Sequence, residues 1–211
     1  MKELDLIVVA ADKDISEAMK SLLRHRAKAL KIRKIDFHII KHSRHDPGIR
    51  KDAAVELLRP YLNLAKYALV IFDYEGSGER SKSPRELERH LEKLLERNGW
   101  KGRASVIAID PEFEIWLWKG PHSLAKALGI EPHRLSNWLE GQGVSLSKKP
   151  DRPKELFDKI LEELLNEPHS SGKIGKLATE IDLKGCKDRS FRKLRQKLRE
   201  WFGEEKVDNV P

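Results

Sequence analysis

The sequence predicts an α/β fold: a mostly parallel four-stranded sheet with helices on both faces and an α-helical C-terminal extension. Two observations support this class. Four apolar strand segments alternate with three helical segments over residues 4–109. After Pro111 only helical patterns remain, and they are divided by Gly and Pro. We therefore place an α/β domain at residues 1–111 and a helical extension, packed on the sheet, at residues 112–211.

The first predicted strand covers residues 4–11 and is followed at once by Asp12 and Asp14. A helix is expected over residues 15–30, because apolar side chains recur there at helical spacing. An acidic side chain at a helix start commonly accepts hydrogen bonds from backbone N–H groups. We therefore expect Asp12 or Asp14 to cap this helix.

The other predicted elements continue the alternation of strand and helix. Pro60 marks a break or a kinked last turn in the second helix. Pro84 stands favourably in the first turn of the third helix, directly after Ser83. The expected strands are residues 35–41, 68–72 and 104–109, and the expected helices are residues 50–64 and 84–98.

An acidic pair, Asp73 and Glu75, follows the apolar run ALVIF of the third strand. On a continuing strand, residues two apart share a face, with about 7 Å between their Cα atoms. Magnesium usually takes one or two carboxylates together with waters and substrate phosphates. The pair is therefore a candidate site for a divalent cation, and solvated turn residues are the other interpretation.

Acidic residues also follow the first and fourth predicted strands. If the first and third strands are neighbours, these acids converge at one edge of the sheet, where open α/β sheets bind ligands. A bound cation or raised pKa values would then offset their mutual repulsion. The acids after the three strands are Asp12, Asp14, Asp73, Glu75, Asp110, Glu112 and Glu114.

Such a cluster is suited to metal-dependent hydrolysis of a phosphodiester bond. Mg²⁺ or Mn²⁺ held by carboxylates neutralises a non-bridging phosphate oxygen and stabilises the leaving group. For the pair after the first strand, helix capping is favoured over metal ligation. The predicted metal ligands are Asp12, Asp14, Asp73 and Glu75, and the predicted catalytic residues are Asp73, Glu75, Glu112 and Glu114.

Composition limits the class of protein. The formal net charge is +8 over 211 residues, which makes a polyanion a plausible partner. The single cysteine, Cys186, excludes an intramolecular disulfide framework and a multi-cysteine zinc site. No apolar run approaches the length of a membrane span. We expect a cytoplasmic protein that does not enter the membrane.

Two basic segments, SLLRHRAKALKIRK and RKLRQKLREW, are candidate surfaces for a phosphate backbone. The cations of the second segment could equally form the solvated face of an amphipathic helix. His42 and His45 stand three apart beside an Asp and are candidates for zinc binding or proton donation. An exposed basic loop is the commoner explanation of that pattern.

Three passages resemble a family of Toprim-like proteins of unknown function that are found beside phage and plasmid defence loci. These proteins are distant relatives of the overcoming-lysogenization-defect nucleases. VIFDYEGS resembles the Toprim acid pair, IAIDPEFEIWLWKG is similar to the family's Glu-aromatic-Glu-Trp-Leu segment, and DLKGCKDRSFRKLRQKL is similar to its closing helix. The resemblance implies a Toprim-like sheet with magnesium held by Asp73 and Glu75. The family's first strand usually ends in Glu-Gly, whereas this chain reads Ala10-Ala11-Asp12 there.

The predicted function is nucleic-acid binding, to DNA or RNA, with Mg²⁺- or Mn²⁺-dependent cleavage and a defence-system protein as a further partner. In this prediction Asp12 or Asp14 completes the site, and Glu112 or Glu114 positions a second metal or a water. Two alternatives stay open. One is a catalytically silent module that binds its partner without metal, and the other is a receiver-like domain phosphorylated on Asp73.

Overall fold

The centre of the fold is a four-stranded sheet in which all neighbouring strands run parallel, in the order β2-β1-β3-β4. The computed structural model describes residues 3–42, 53–118, 121–146, 148–180 and 185–203. The predicted fold class is confirmed. The strands are β1 (Leu4–Ala10), β2 (Phe37–Lys41), β3 (Ala65–Asp73) and β4 (Ala104–Ile109).

Helices cover the sheet and form most of the second half of the chain. They are α1 (Lys13–His25), α2 (Ala27–Leu30), α3 (Ala54–Leu58), α4 (Pro84–Leu95), α5 (Pro121–Leu128), α6 (Pro132–Gly141), α7 (Pro153–Lys159), α8 (Ser171–Glu180) and α9 (Arg189–Phe202). Short 3-10 turns lie at Arg59–Tyr61 and Phe113–Trp116, and π-helical turns continue α4 and α7 at Glu96–Trp100 and Ile160–Leu164. Among the described residues, no helix has both the length and the apolar character needed to cross a membrane.

The two central strands, β1 and β3, are buried along almost their whole length. Strands covered on both faces read as continuous apolar runs, which is why the sequence shows LIVVA and ALVIF without alternation. Helix α1 packs beside α8, and α9 packs against β4. The helices of the second half of the chain therefore contribute to the same apolar core as the sheet.

The outer edge of β4 is covered by side chains instead of a fifth strand. The backbone N–H of Val106 donates to Glu92 Oε1 at 3.0 Å, and the N–H of Ala108 donates to Glu88 Oε1 at 2.9 Å. Both carboxylates come from α4, one helical turn apart. An unpaired strand edge otherwise invites association with another chain.

The carbonyl groups on this edge are satisfied by α9. Lys193 Nζ donates to Val106 O at 2.8 Å, and Arg189 donates to Ala108 O at 2.7 Å. Arg189 also donates to both oxygens of Glu88, at 3.0 and 2.8 Å. The basic side of α9 is therefore partly committed to closing the sheet.

One helix differs from its sequence prediction, and two other predicted features are confirmed. The helix expected over residues 15–30 is divided at Arg26, whose backbone leaves the helical region with φ −120° and ψ 15°. The helix α4 begins at Pro84 as predicted, with Ser83 accepting from the N–H of Glu86 in a capping box. Pro60 lies in a 3-10 turn, which confirms the predicted break there.

The segment after β4 forms an aromatic seam. Trp116 is 1% exposed and donates its indole N–H to Ser190 Oγ at 2.8 Å. Its ring makes edge contacts with Phe113 and Phe191, with centroid separations of 5.3 and 5.1 Å. This seam joins the exit of β4 to α9.

Candidate functional site

Acidic residues follow the carboxyl ends of three neighbouring strands, so they lie at the same end of the sheet. Ala10 of β1 is in register with Ile71 of β3, so Asp12 and Asp73 stand two residues beyond a paired position on neighbouring strands. Neighbouring strands lie about 5 Å apart. On the other side of β3, Asp73 itself is in register with Ile109 at the end of β4. The ends of β1, β3 and β4 that carry these acids therefore lie side by side, as predicted.

Asp73 and Glu75 do not share a strand face. Strand β3 ends at Asp73, which is 5% exposed, and a turn follows in which Ser77 N–H donates to Asp73 O at 3.1 Å. Gly78 adopts a positive φ of 66° in this turn, a conformation that glycine accepts without strain. Glu75 lies in the turn and is exposed. The expectation of a continuing strand is wrong because the chain turns directly after Asp73.

Asp12 caps α1, as predicted. Its carboxylate accepts from the backbone N–H of Ile15 at 2.8 Å. Burial raises the pKa of Asp12, and the neighbouring Asp14 adds to the rise, while the hydrogen bond from Ile15 opposes it. The residue thus combines a structural role in α1 with a position at the sheet edge.

Asp14 is held by a residue from the far end of the chain. His169 Nε2 lies 2.8 Å from Asp14 Oδ2, and His169 Nδ1 lies 2.7 Å from Asp158 Oδ1. Burial alone would lower the pKa of His169, but the hydrogen bonds to Asp158 and Asp14 raise it above its ordinary value. Both ring nitrogens face carboxylates, so the imidazolium form suits this position.

The segment after β4 supplies two carboxyl groups of different character. Glu114 is 3% exposed, and burial raises its pKa to about 7. Its Oε2 atom is buried and accepts no hydrogen bond from the described residues. Glu112 is half-buried and accepts from the backbone N–H of Lys154 at 3.4 Å, and burial raises its pKa as well. Asp110 is exposed.

Lys154, the second residue of α7, brings a positive charge to these acids. Burial would lower its pKa, but the net shift is upward because the ammonium group interacts with carboxylates of all three strand ends. The carboxylates with which it interacts are Glu114, Asp73, Asp12 and Asp14. We call these four carboxylates together with Lys154 the acid cluster.

Sequence reasoning missed both Lys154 and His169. Neither has a local signal, since each lies in a polar stretch of the second half of the chain that reads only as helix or helix connection. His169 is separated from Asp14 by 155 positions. Their approach to the sheet edge is a result of tertiary packing.

The predicted four-carboxylate metal set is not gathered into one ligand group. Within the described part of the chain, no three His, Cys, Asp or Glu side chains form a group that could hold a metal ion. Magnesium needs fewer protein ligands than this, because one or two carboxylates with waters and a substrate phosphate complete its coordination shell. The hard oxygen donors of the acid cluster, including the unbonded Oε2 of Glu114, fit such a partial set.

Other predicted positions contribute less to this edge. His42 is buried at the end of β2, where its N–H donates to Ala10 O at 2.9 Å, and His45 lies outside the described residues. In the basic segments, Arg33 pairs with Asp5 at 2.7 Å and Arg199 donates to a backbone carbonyl at 2.8 Å. These cations stabilise the fold, so the segments offer fewer charges to a ligand than the sequence indicates.

The comparisons with known proteins bring no further assignment. No family model matches the chain, and no curated protein and no solved structure matches it either. The resemblance to Toprim-like proteins therefore stays a prediction, and the functional conclusion depends on the geometry of the acid cluster.

Proposed function

We propose that the protein binds DNA or RNA and hydrolyses a phosphodiester bond with Mg²⁺ or Mn²⁺ at the acid cluster. The observation that carries this proposal is the packing of the start of α7 against the segment of Glu112 and Glu114, which brings the charge of Lys154 to carboxylates from three strand ends. The resemblance to Toprim-like nucleases favours the same chemistry.

Lys154 gives the cluster a group that can bind the substrate. A phosphodiester is an anion, and carboxylates alone would repel it. The lysine ammonium offers three donors on a flexible stem and binds phosphate oxygens as a point charge. In the proposed complex it donates to a non-bridging oxygen and stabilises the charge that develops there.

Asp73 and Asp12 are the proposed ligands of the metal ion. Asp73 ends β3 and Asp12 follows the neighbouring β1, which places both at the same edge. When bound, Mg²⁺ or Mn²⁺ neutralises phosphate charge and lowers the pKa of a coordinated water. Asp14 is engaged by His169 and is not one of the two proposed ligands.

Glu114 is the proposed proton-transfer residue. A catalytic acid or base works best when its pKa lies near the operating pH, and the pKa of Glu114 is about 7. In its ionised form it accepts the proton of the attacking water, and it then passes that proton to the leaving oxygen as the bond from phosphorus to that oxygen breaks. Glu112 holds the segment after β4 beside α7, because its carboxylate accepts a hydrogen bond from the backbone N–H of Lys154.

A cleavage assay tests the proposal. Purified wild-type protein is incubated with supercoiled plasmid and with labelled RNA, in Mg²⁺, in Mn²⁺ and in EDTA. We expect metal-dependent products that disappear in the Asp73→Asn variant and persist in Asp110→Asn, which changes an exposed acid at the same edge. The absence of products from the wild type above the Asp73→Asn background would overturn the cleavage proposal.

Lys154 also favours a second function, a catalytically silent nucleic-acid-binding module. Its ammonium group already neutralises part of the cluster without a metal, and Asp12 and Asp14 are engaged in structural hydrogen bonds. Such a module would bind nucleic acid equally well in Mg²⁺ and in EDTA, and Asp73→Asn would leave binding unchanged. Measuring binding and cleavage on the same samples therefore distinguishes the two functions.

A further inference from the structure

A second feature beside α7 has the chemistry of an anion site. A cavity of about 480 Å³ lies between the loop after α6 and the outer side of α7. Four cations outnumber two carboxylates in its lining. Its charged residues are Lys148, Lys149, Asp151, Arg152, Glu155 and Lys159. We call it the cationic cavity.

Two of its cations already have protein partners. Lys149 Nζ lies 2.9 Å from Asp188 Oδ2, and Arg152 lies 3.3 Å from Glu155 in an exposed pair. For Lys148 and Lys159, by contrast, the described residues place no carboxylate within ion-pair distance. Both side chains are exposed, so their charge is available to a ligand in the cavity.

Helix α7 connects the cationic cavity to the acid cluster. Arg152 and Glu155 line the cavity, and Lys154 between them enters the cluster. Successive Cα atoms are only about 3.8 Å apart, so the two sites lie on two sides of one helical turn. A ligand with several linked phosphates can contact both sites at once.

We propose that the cationic cavity binds the sugar-phosphate backbone of a single-stranded nucleic acid next to the bond held at the acid cluster. That this phosphodiester bond lies at the acid cluster rests on the proposed function. Binding in the cationic cavity does not, because it can be measured in the absence of cleavage. Point charges on flexible stems suit a repeating phosphate backbone, and the apolar Val144 and Leu156 in the lining offer contact to sugars or bases. A single strand can bend into a cavity, whereas duplex DNA stays stiff over about 150 base pairs.

The test is fluorescence anisotropy with short labelled single-stranded DNA and RNA, in EDTA and over a series of salt concentrations. The cavity variant carries Lys148→Glu and Lys159→Glu. A matched control carries Lys93→Glu and Lys101→Glu, which make the same change in net charge. The control residues are exposed and lie near the start of β4. They are therefore at the amino ends of the strands, whereas the acid cluster is at the carboxyl ends.

We expect the cavity variant to bind about tenfold more weakly than the control, because two phosphate contacts are lost. The plot of log affinity against log salt concentration should become less steep, its negative slope shrinking by about 1.4, at roughly 0.7 for each lost contact with a single strand. Equal affinities of the two variants would overturn the proposal, since only net charge would then matter. Thermal melts check that both variants are folded.

The outcome is separable from that of the proposed function. Weaker binding by the cavity variant, with no cleavage by the wild type, would support the cavity and contradict the cleavage. Cleavage by the wild type, with equal binding by both variants, would contradict the cavity alone. Stronger binding to duplex than to single strands would also contradict the cavity proposal.

Discussion

His169 and Asp14, 155 positions apart in the chain, are joined by a 2.8 Å contact between Nε2 and Oδ2. The other ring nitrogen of His169 meets Asp158 on α7 at 2.7 Å. The imidazole thus ties the start of α1 to the helix that carries Lys154. This link fixes α7, and with it Lys154, relative to the start of α1, so the acid cluster depends on a residue far from the sheet in sequence.

The His169→Gln substitution should lower stability in a pH-dependent way. The pKa of His169 is raised above 6.5 in the folded protein, so its contribution is complete below about pH 6.5 and is lost as the pH rises through the folded value. We expect a loss of about 1 kcal/mol in acid, because the side chain is 27% exposed and solvent weakens the pair. Urea unfolding at several pH values measures this.

A matched substitution at an exposed histidine, His133→Gln, controls for the loss of an imidazole. It should leave the unfolding midpoint within the error of the wild type at each pH. An equal effect of both substitutions would show that the bridge between Asp14 and Asp158 does not stabilise the fold.

Glu114→Gln should make the protein more stable at alkaline pH. Burial raises the folded pKa from 4.5 to about 7, so the folded state holds a proton that the unfolded state releases. Wild-type stability therefore falls as the pH rises from 4.5 through 7, by up to about 3.5 kcal/mol at roughly 1.4 kcal/mol per pKa unit. Glutamine cannot ionise and should remove this dependence.

Urea unfolding of both proteins across this pH range gives the measurement. Near the lower end the two stabilities should be similar, and near the upper end the variant should be the more stable. Parallel pH profiles would contradict the burial of an ionisable Glu114. In the cleavage assay the same variant should lose about 10²-fold in rate, the usual contribution of a positioned acid or base.

Lys154→Met should change metal binding and cleavage in opposite directions. Without the ammonium group, Mn²⁺ no longer competes with a fixed cation among the carboxylates, so affinity for the metal alone should rise. Cleavage should fall by about 10²-fold, because the donor to the phosphate oxygen is lost. Unchanged cleavage would remove Lys154 from the proposed mechanism. Lys93→Met makes the same substitution at an exposed lysine and serves as the control.

Glu88→Ala should destabilise the covered edge of β4. Glu88 is 3% exposed and accepts from Arg189, Lys193 and the N–H of Ala108. Removing one partner of a buried ion pair costs about 3 kcal/mol or more. The exposed Glu96 is the control, and Glu96→Ala should change stability by less than about 0.5 kcal/mol. Similar denaturation midpoints for the two variants would contradict this account of the edge.

Elements with strong local signals could be predicted from the sequence. Strand β4 begins and ends where the apolar run ASVIAI does, and Ser83 with Pro84 marks the start of α4. The convergence of Asp12 and Asp73 also follows from the sequence, because parallel strands bring their carboxyl ends to one edge. The strand and helix predictions succeed because burial and capping act over a few residues.

Other features depend on long-range packing and leave no local pattern. Lys154 is one of many charged residues in the second half of the chain, and its neighbours in space come from the distant strand ends. The exposure of Glu75 depends on a turn that starts directly after Asp73, where an extended continuation fits the sequence equally well. The break at Arg26 has no Gly or Pro to mark it.

The most direct test of the acid cluster is the binding of Mn²⁺, followed by the loss of the electron paramagnetic resonance signal of the free ion. The wild type, Asp73→Asn and Asp110→Asn are titrated in parallel, because Asp73 is buried at the site and Asp110 is exposed beside it. We predict that wild type and Asp110→Asn bind Mn²⁺ alike and that Asp73→Asn binds it far more weakly. Equal binding by all three proteins, or none by the wild type, would contradict a metal site at the acid cluster.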